Sequence, residues 1–138
     1  MKIRAPAKIN LRLRVVGKRA DGYHLLDTIM LPVSLYDEII INKGRKIGRR
    51  TGLEDRLTVT CDDPLVPQGR QNLAYKAASL VLTGRGINES VQIRIHKRIP
   101  IGAGLGGGST DAAATLVGLN RLFRLGYTLK RLEKYHPL

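Results

Sequence analysis

The chain has 138 residues, with 24 Lys and Arg against 11 Asp and Glu for a net charge of +13, a balance that favours anionic partners. Apolar residues make up 43% and aromatics 4%, with no tryptophan, which suits one domain with a core of its own but offers little for stacking nucleic-acid bases. No apolar run approaches the ~18 residues that read as a membrane span, the start Met-Lys-Ile-Arg-Ala-Pro-Ala-Lys lacks the apolar stretch of a signal peptide, and Cys61 stands alone, so neither an internal disulfide nor a cysteine metal cluster is expected and the cytoplasm is the expected compartment.

In chain order, residues 7–16 alternate, with Ile9, Leu11, Leu13 and Val15 one way and Lys8, Asn10, Arg12 and Arg14 the other. This predicts a half-buried strand. Period two puts Lys8 and Asn10 on one face, about 7 Å apart. Such a pair is ordinarily solvated; opposite a phosphate it supplies a cation and an orienting hydrogen-bonder. Gly17–Gly22 reads as a turn, with Asp21-Gly22 a hairpin signal. Tyr23 and His24 follow, either as packing beside a surface histidine or as a clamp for a base. Residues 24–33 and 35–42 read as two strands, the second rich in β-branched residues.

Lys43, Arg45, Lys46, Arg49 and Arg50 with Gly44 and Gly48 read as a solvated loop. Leu57–Cys61 is a short strand, with Cys61 a buried inert thiol, and Asp62-Asp63-Pro64 a turn rather than a carboxylate pair. Asn72 is the expected cap of a helix through residue 83, with Leu73, Ala77, Leu80 and Val81 on its inner face. Val91, Ile93 and Ile95 mark another strand. Ser109 or Thr110 caps the next helix, which turns Ala113, Leu116, Val117 and Asn120 inward. Gly126-Tyr127 breaks it, and a last amphipathic turn places Leu129, Leu132 and Tyr135 on one face. Strands and helices mix without regular alternation, which predicts an α+β fold with a mixed sheet packed by helices.

The stretch Pro100-Ile101-Gly102-Ala103-Gly104-Leu105-Gly106-Gly107-Gly108-Ser109-Thr110 lies where a strand hands over to a helix. Glycines admit positive φ and close ligand approach, and the free N–H groups of a helix start attract anions. It is not a P-loop, because no lysine precedes Ser109. The match of Gly102, Gly104 and Gly107 to G-x-G-x-x-G is weak, since the only acidic residue near the required spacing is Glu133. A flexible linker seldom joins a clean strand to a clean helix.

Three stretches together resemble the amino-terminal half of the 4-diphosphocytidyl-2-C-methyl-D-erythritol kinases, within the galactose, homoserine, mevalonate and phosphomevalonate kinase superfamily. They are Pro6–Leu11 continuing to Gly17–His24, then Asn72–Ala78, then Pro100–Ala113. The resemblance covers essentially the whole chain. It implies an α+β domain like the second domain of ribosomal protein S5, and transfer of the γ-phosphoryl of ATP to the 2-hydroxyl of a cytidine-diphosphate-linked methylerythritol in the non-mevalonate route to isoprenoids. It implies that Pro100, Ile101, Gly102, Ala103, Gly104, Leu105, Gly106, Gly107, Gly108, Ser109 and Thr110 hold the ATP phosphates, with Asn72 and Lys97 near the adenine. Lys8 becomes the catalytic lysine, Asn10 a substrate contact, Tyr23 and His24 the cytosine site, and Ser109 or Thr110 a contact for magnesium.

The family's catalytic aspartate, in a glycine-alanine-aspartate-valine-proline-phenylalanine segment, has no counterpart here. Asp21, Asp27 and Asp111 do not match it. Residues 1–138 are therefore expected to be an amino-terminal kinase domain without its carboxy-terminal partner, of little activity alone, because a missing acid or base costs roughly 10²–10⁴ in rate. Self-association through the surface so left is a further expectation. The rival readings are a basic nucleic-acid-binding module and a non-catalytic nucleotide-binding fragment.

Overall fold

The computed structural model describes residues 1–46 and 52–135. The strand signal at the amino terminus extends both ways, and β1 runs Lys2–Lys18. The two strands expected over 24–33 and 35–42 are one, β2, His24–Lys46. Proline ordinarily marks an edge because it cannot donate to a ladder. Pro32 is tolerated because it pairs only with Lys8 of β1, and β4 joins β2 from Glu38 onward. Lys43, Arg45 and Lys46 belong to this strand and not to a loop; Arg49 and Arg50 lie outside the described residues.

A short helix α1, Leu53–Arg56, leads into β3, Leu57–Cys61. After a 3-10 turn at Gly69–Gln71 comes α2, Leu73–Gly84, then β4, Glu89–His96. Helix α3 spans Gly107–Leu122 and α4 spans Leu129–Glu133. The sheet order is β1-β2-β4-β3, with β3 parallel to β4 and the other pairs antiparallel. The expected α+β class is what is observed.

The core lies between the sheet and helices α2 and α3. Ile39, Ile41, Val59, Ile93 and Ile95 meet Ala74, Ala78, Val81 and Leu119, all of them buried. Gly118 is where α3 crosses the sheet: a Cβ there would run into the Cδ1 atoms of Ile41 and Ile3. Three inner-face expectations fail. Leu80, Ala113 and Leu129 point to solvent, while Tyr75, Leu82 and Asp111 take buried positions on the helices. The helical stripe is wide enough that a shift of one residue keeps its period.

The larger correction concerns β1. Leu11, Leu13 and Val15 are between 54% and 62% exposed, so the alternating run is not half-buried. The helices cover only the part of the ladder near β4, and beyond it β1 and β2 continue as a two-stranded arm. A β-bulge between Asn10 and Arg12 also switches faces. Ile9 pairs with Leu31 but Leu13 pairs with Thr28, three residues on, which sends Ile9 and Leu13 to opposite sides. Apolar residues thus appear on both faces. Lys8 and Asn10, before the bulge, pair with Pro32 and Met30 and do share a face.

Candidate active site

The segment between β4 and α3 is pinned at both ends. Ile99 is buried in the core at one end. At the other, the backbone N–H of Lys8 donates to the carbonyl of Leu105 at 2.9 Å, tying the loop to the free edge of β1. Between these points Gly102, Gly104 and Gly106 have φ of 73°, 71° and 75°, a region that costs other L-residues roughly 1–2 kcal/mol each. Gly106 is the left-handed cap of α3, where Ser109 or Thr110 was expected. The first helical bond runs from the N–H of Thr110 to the Gly106 carbonyl. The N–H groups of Gly107, Gly108 and Ser109 therefore have no intrahelical acceptor. The Thr110 hydroxyl turns back to donate to the Gly107 carbonyl at 3.0 Å.

These amides face a cleft of about 280 Å³, lined by Leu65, Val66 and Pro67 on one side and by Gly102–Gly108 on the other, with Asn72, Lys97 and Asp111 in its wall. One end is apolar and the other is glycine backbone at a helix start, where the dipole favours negative charge. Lys8 brings a cation to the second end: its Cγ and Cε lie 3.0 Å from where a Cβ on Gly106 would be. Lys8 takes part in no ion pair among the described residues. Asn72 caps α2 as expected, its Oδ1 accepting from the N–H of Ala74 at 2.8 Å while its Nδ2 donates to the Pro67 carbonyl at 2.9 Å. One end of its amide caps α2 and the other holds the cleft's apolar wall at Pro67.

Lys97 lies in this wall but its ammonium turns inward. The side chain is 6% exposed and pairs with two carboxylates, Asp37 and Asp111, the latter at 2.9 Å. Asp37 is fully buried and also accepts the N–H groups of Arg98 and Ile99 at 2.6 and 2.9 Å. Burial pulls against the Lys97 ammonium, but the two carboxylates prevail and hold its pKa above the ordinary lysine value. Asp111 fares differently: burial pushes its carboxyl up to about 7 despite Lys97. Lys97 reaches only one oxygen of Asp111, and Oδ1 of that carboxyl is left without a hydrogen-bond partner. Asp37 was missed in the sequence although a signal existed, because it has the strand parity of Ile39 and Ile41, and an acid on an apolar face needs a buried partner.

The neighbouring turn behaves as expected. Asp63 accepts from the N–H of Leu65, and Asp62 accepts from the N–H of Lys97 and contacts His96 Nδ1 at 3.0 Å. The Lys97 amide first, and His96 after it, hold the Asp62 carboxyl below the usual range. Cys61 is half-buried rather than buried, and desolvation pushes its thiol up.

The structure brings Lys8, Asn72, Lys97 and residues 100–110 together. Asn10 lies further along β1, where it receives a 3.4 Å bond from the Thr28 hydroxyl. Tyr23 and His24 are at the far end of the arm, with His24 opposite Lys18 and Tyr23 67% exposed. Two register shifts bend β1 between Lys8 and Lys18, and neither Tyr23 nor His24 lines the cleft.

Residues 72–136 match the family of the GHMP kinases N terminal domain. A 4-diphosphocytidyl-2-C-methyl-D-erythritol kinase of Acetivibrio thermocellus is 50% identical over 123 residues, which are 89% of this chain and 40% of that protein. The enzyme of the same name from Bacillus mycoides is 45% identical over 132 residues, 96% of this chain and 43% of that one. A crystal structure of 4-(cytidine 5'-diphospho)-2C-methyl-D-erythritol kinase superposes with a TM-score of 0.75 at 40% identity, covering 100% of this chain and 46% of its own. A homoserine kinase from Cytophaga hutchinsonii shares the fold at 22% identity, with a TM-score of 0.71 over 99% of this chain and 39% of that one. The chain spans about two fifths of the length of the curated relatives it matches. In sequence over residues 72–136, and in fold along the whole chain, it matches the N-terminal domain of the GHMP kinases.

Proposed function

We propose that this chain is the nucleotide-holding part of an ATP-dependent small-molecule kinase, and that the substrate is 4-diphosphocytidyl-2-C-methyl-D-erythritol, phosphorylated on its 2-hydroxyl. The observation that carries this reading is the loop of three positive-φ glycines, which delivers free helix amides and the Lys8 side chain to one end of a cleft. The names of the relatives support the choice of substrate.

Phosphoryl transfer asks for positioning and charge neutralisation more than covalent chemistry. In this reading the amides of residues 107–109 hold phosphate oxygens. Lys8 neutralises charge on the transferred group and lowers the pKa of the attacking hydroxyl. Asn10 orients the acceptor, while Asn72 and the 65–67 segment border the base. Tyr23 and His24 are the cytosine contacts. Magnesium takes most of its positions from phosphate and water, with one or two protein oxygens. The loop fits that demand: Ser109 and Thr110 offer hydroxyls in the first turn of α3, and no group of three or more acidic, His or Cys side chains among the described residues could hold a metal. When bound, the ion would supply charge neutralisation on the phosphates. No helix among the described residues is long and apolar enough to cross a membrane.

Calorimetric titration with magnesium-ATP tests this reading. The chain is expected to bind it saturably, and Lys8→Ala is expected to weaken binding by about tenfold or more, the usual consequence of losing a charged hydrogen bond. Absence of saturable binding, together with sequence-selective binding of an oligonucleotide at physiological salt, would favour a nucleic-acid module instead.

A further inference from the structure

Lys97 borders the cleft, yet its ammonium is spent on Asp37 and Asp111. These three side chains come from three different places: β2, the residue just after β4, and the start of the second turn of α3. Each is tied to the glycine loop. Asp37 fixes the loop's entry by accepting the N–H groups of Arg98 and Ile99. Asp111 fixes its exit, because it stands on the helix that Gly106 caps. Lys97 joins the two and supports the floor, since a Cβ on Gly107 would lie 2.7 Å from its Nζ. The loop amides therefore stand directly over a buried ion cluster.

We propose that Asp37, Lys97 and Asp111 form a clamp that sets the distance between the entry and exit of the glycine loop, and that Lys97 is a positioning residue rather than a contact for the base. This rests on the phosphate-loop reading of the cleft. The clamp gives a fixed frame to a segment rich in glycine, the residue with most backbone freedom to lose. It also explains why a glycine is required at 107. No larger side chain fits above the ammonium.

The proposal separates from a base-contact role by the choice of ligand. If Lys97 contacted the base, its replacement would weaken ATP and spare inorganic tripolyphosphate. A clamp predicts equal losses for both. It separates from a role confined to holding the fold together by Lys97→Arg. That variant keeps the charge between the two carboxylates, but the guanidinium is bulkier than an ammonium and must displace Gly107. Asp111→Ala is the second variant, and it cuts only the tie between Lys97 and α3.

The experiment is titration of the 138-residue chain and both variants with magnesium-ATP and with tripolyphosphate, alongside amide NMR of the ligand-free proteins. The expected result is a loss of about tenfold for both ligands in both variants, with the amides of Gly102, Gly104 and Gly106–Gly108 already shifted before ligand is added. Wild-type affinity for tripolyphosphate in Lys97→Arg and Asp111→Ala would overturn the clamp. So would loop glycine resonances unchanged in both variants. If the wild-type chain binds neither ligand, the phosphate-loop reading fails, and the ligand-free glycine resonances alone decide the clamp.

Discussion

Asp37→Ala is expected to lower the melting temperature by about 10–20 °C, the shift that 3–5 kcal/mol produces in a domain of this size. The magnitude follows from what the carboxylate satisfies. It is fully buried, pairs with an ammonium that is itself buried, and accepts two backbone N–H groups. Removing it leaves those N–H groups without an acceptor and leaves the Lys97 ammonium facing Asp111 alone. Breaking one side of a buried ion pair costs about 3–5 kcal/mol, a large share of the ~5–15 kcal/mol that holds a domain folded. Asp37→Asn keeps an acceptor for the amides but loses the charge, so its cost is expected to be smaller, about 1–3 kcal/mol. Urea unfolding of the two variants beside the wild type checks the order. Equal stability of Asp37→Ala and wild type would mean that the cluster does not form.

The second large effect is on ligand binding. Gly106→Val is expected to reduce magnesium-ATP affinity by about 100-fold or more while leaving the sheet intact. Gly106 sits at φ 75° and caps α3. A β-branched residue is a strong outlier there. The new side chain would also press on the aliphatic part of Lys8, so the cap geometry and the cation move together. Losing two charge-assisted contacts, at about 1.5–3 kcal/mol each, weakens binding on the order of 10²-fold or more. Calorimetry measures the affinity, and circular dichroism shows whether the sheet survives. A variant that binds at wild-type strength would remove Gly106 from the phosphate site.

Elements whose signals are local were legible in the sequence. The strand of Val91, Ile93 and Ile95, the Asn72 cap and the Asp21-Gly22 hairpin turn all depend on near neighbours in the chain, and all stand where they were expected. The alternation of β1 was read correctly as strand and wrongly as half-buried. Periodicity tells which residues share a face but not whether a helix covers it, and the bulge at Leu11 changes the faces without any glycine or proline to mark it. The helix cap was displaced by three or four residues, from Ser109 or Thr110 to Gly106, for a related reason. Ser109 and Thr110 are good caps, but a left-handed Gly106 opens the helix earlier and leaves their hydroxyls within the first turn.

In the candidate site, the glycine loop and Lys8 were legible because each belongs to a continuous motif. The cluster beneath them was not. Asp37 is 60 positions from Lys97 in the chain, and only the pairing of β2 with β4 brings the two together. Tyr23 and His24 show the opposite case. Their motif is contiguous with that of Lys8, yet the strand carries them to the far tip of the arm.

The most direct test of the central claim is an amide NMR titration of the ligand-free chain with magnesium-ATP. If residues 100–110 are the phosphate cradle, the amides of Gly102, Gly104 and Gly106–Gly108 shift saturably, while that of Gly22 at the arm's tip stays in place. Shifts confined to the arm, or to the basic residues of β2, with the loop glycines unmoved, would contradict it.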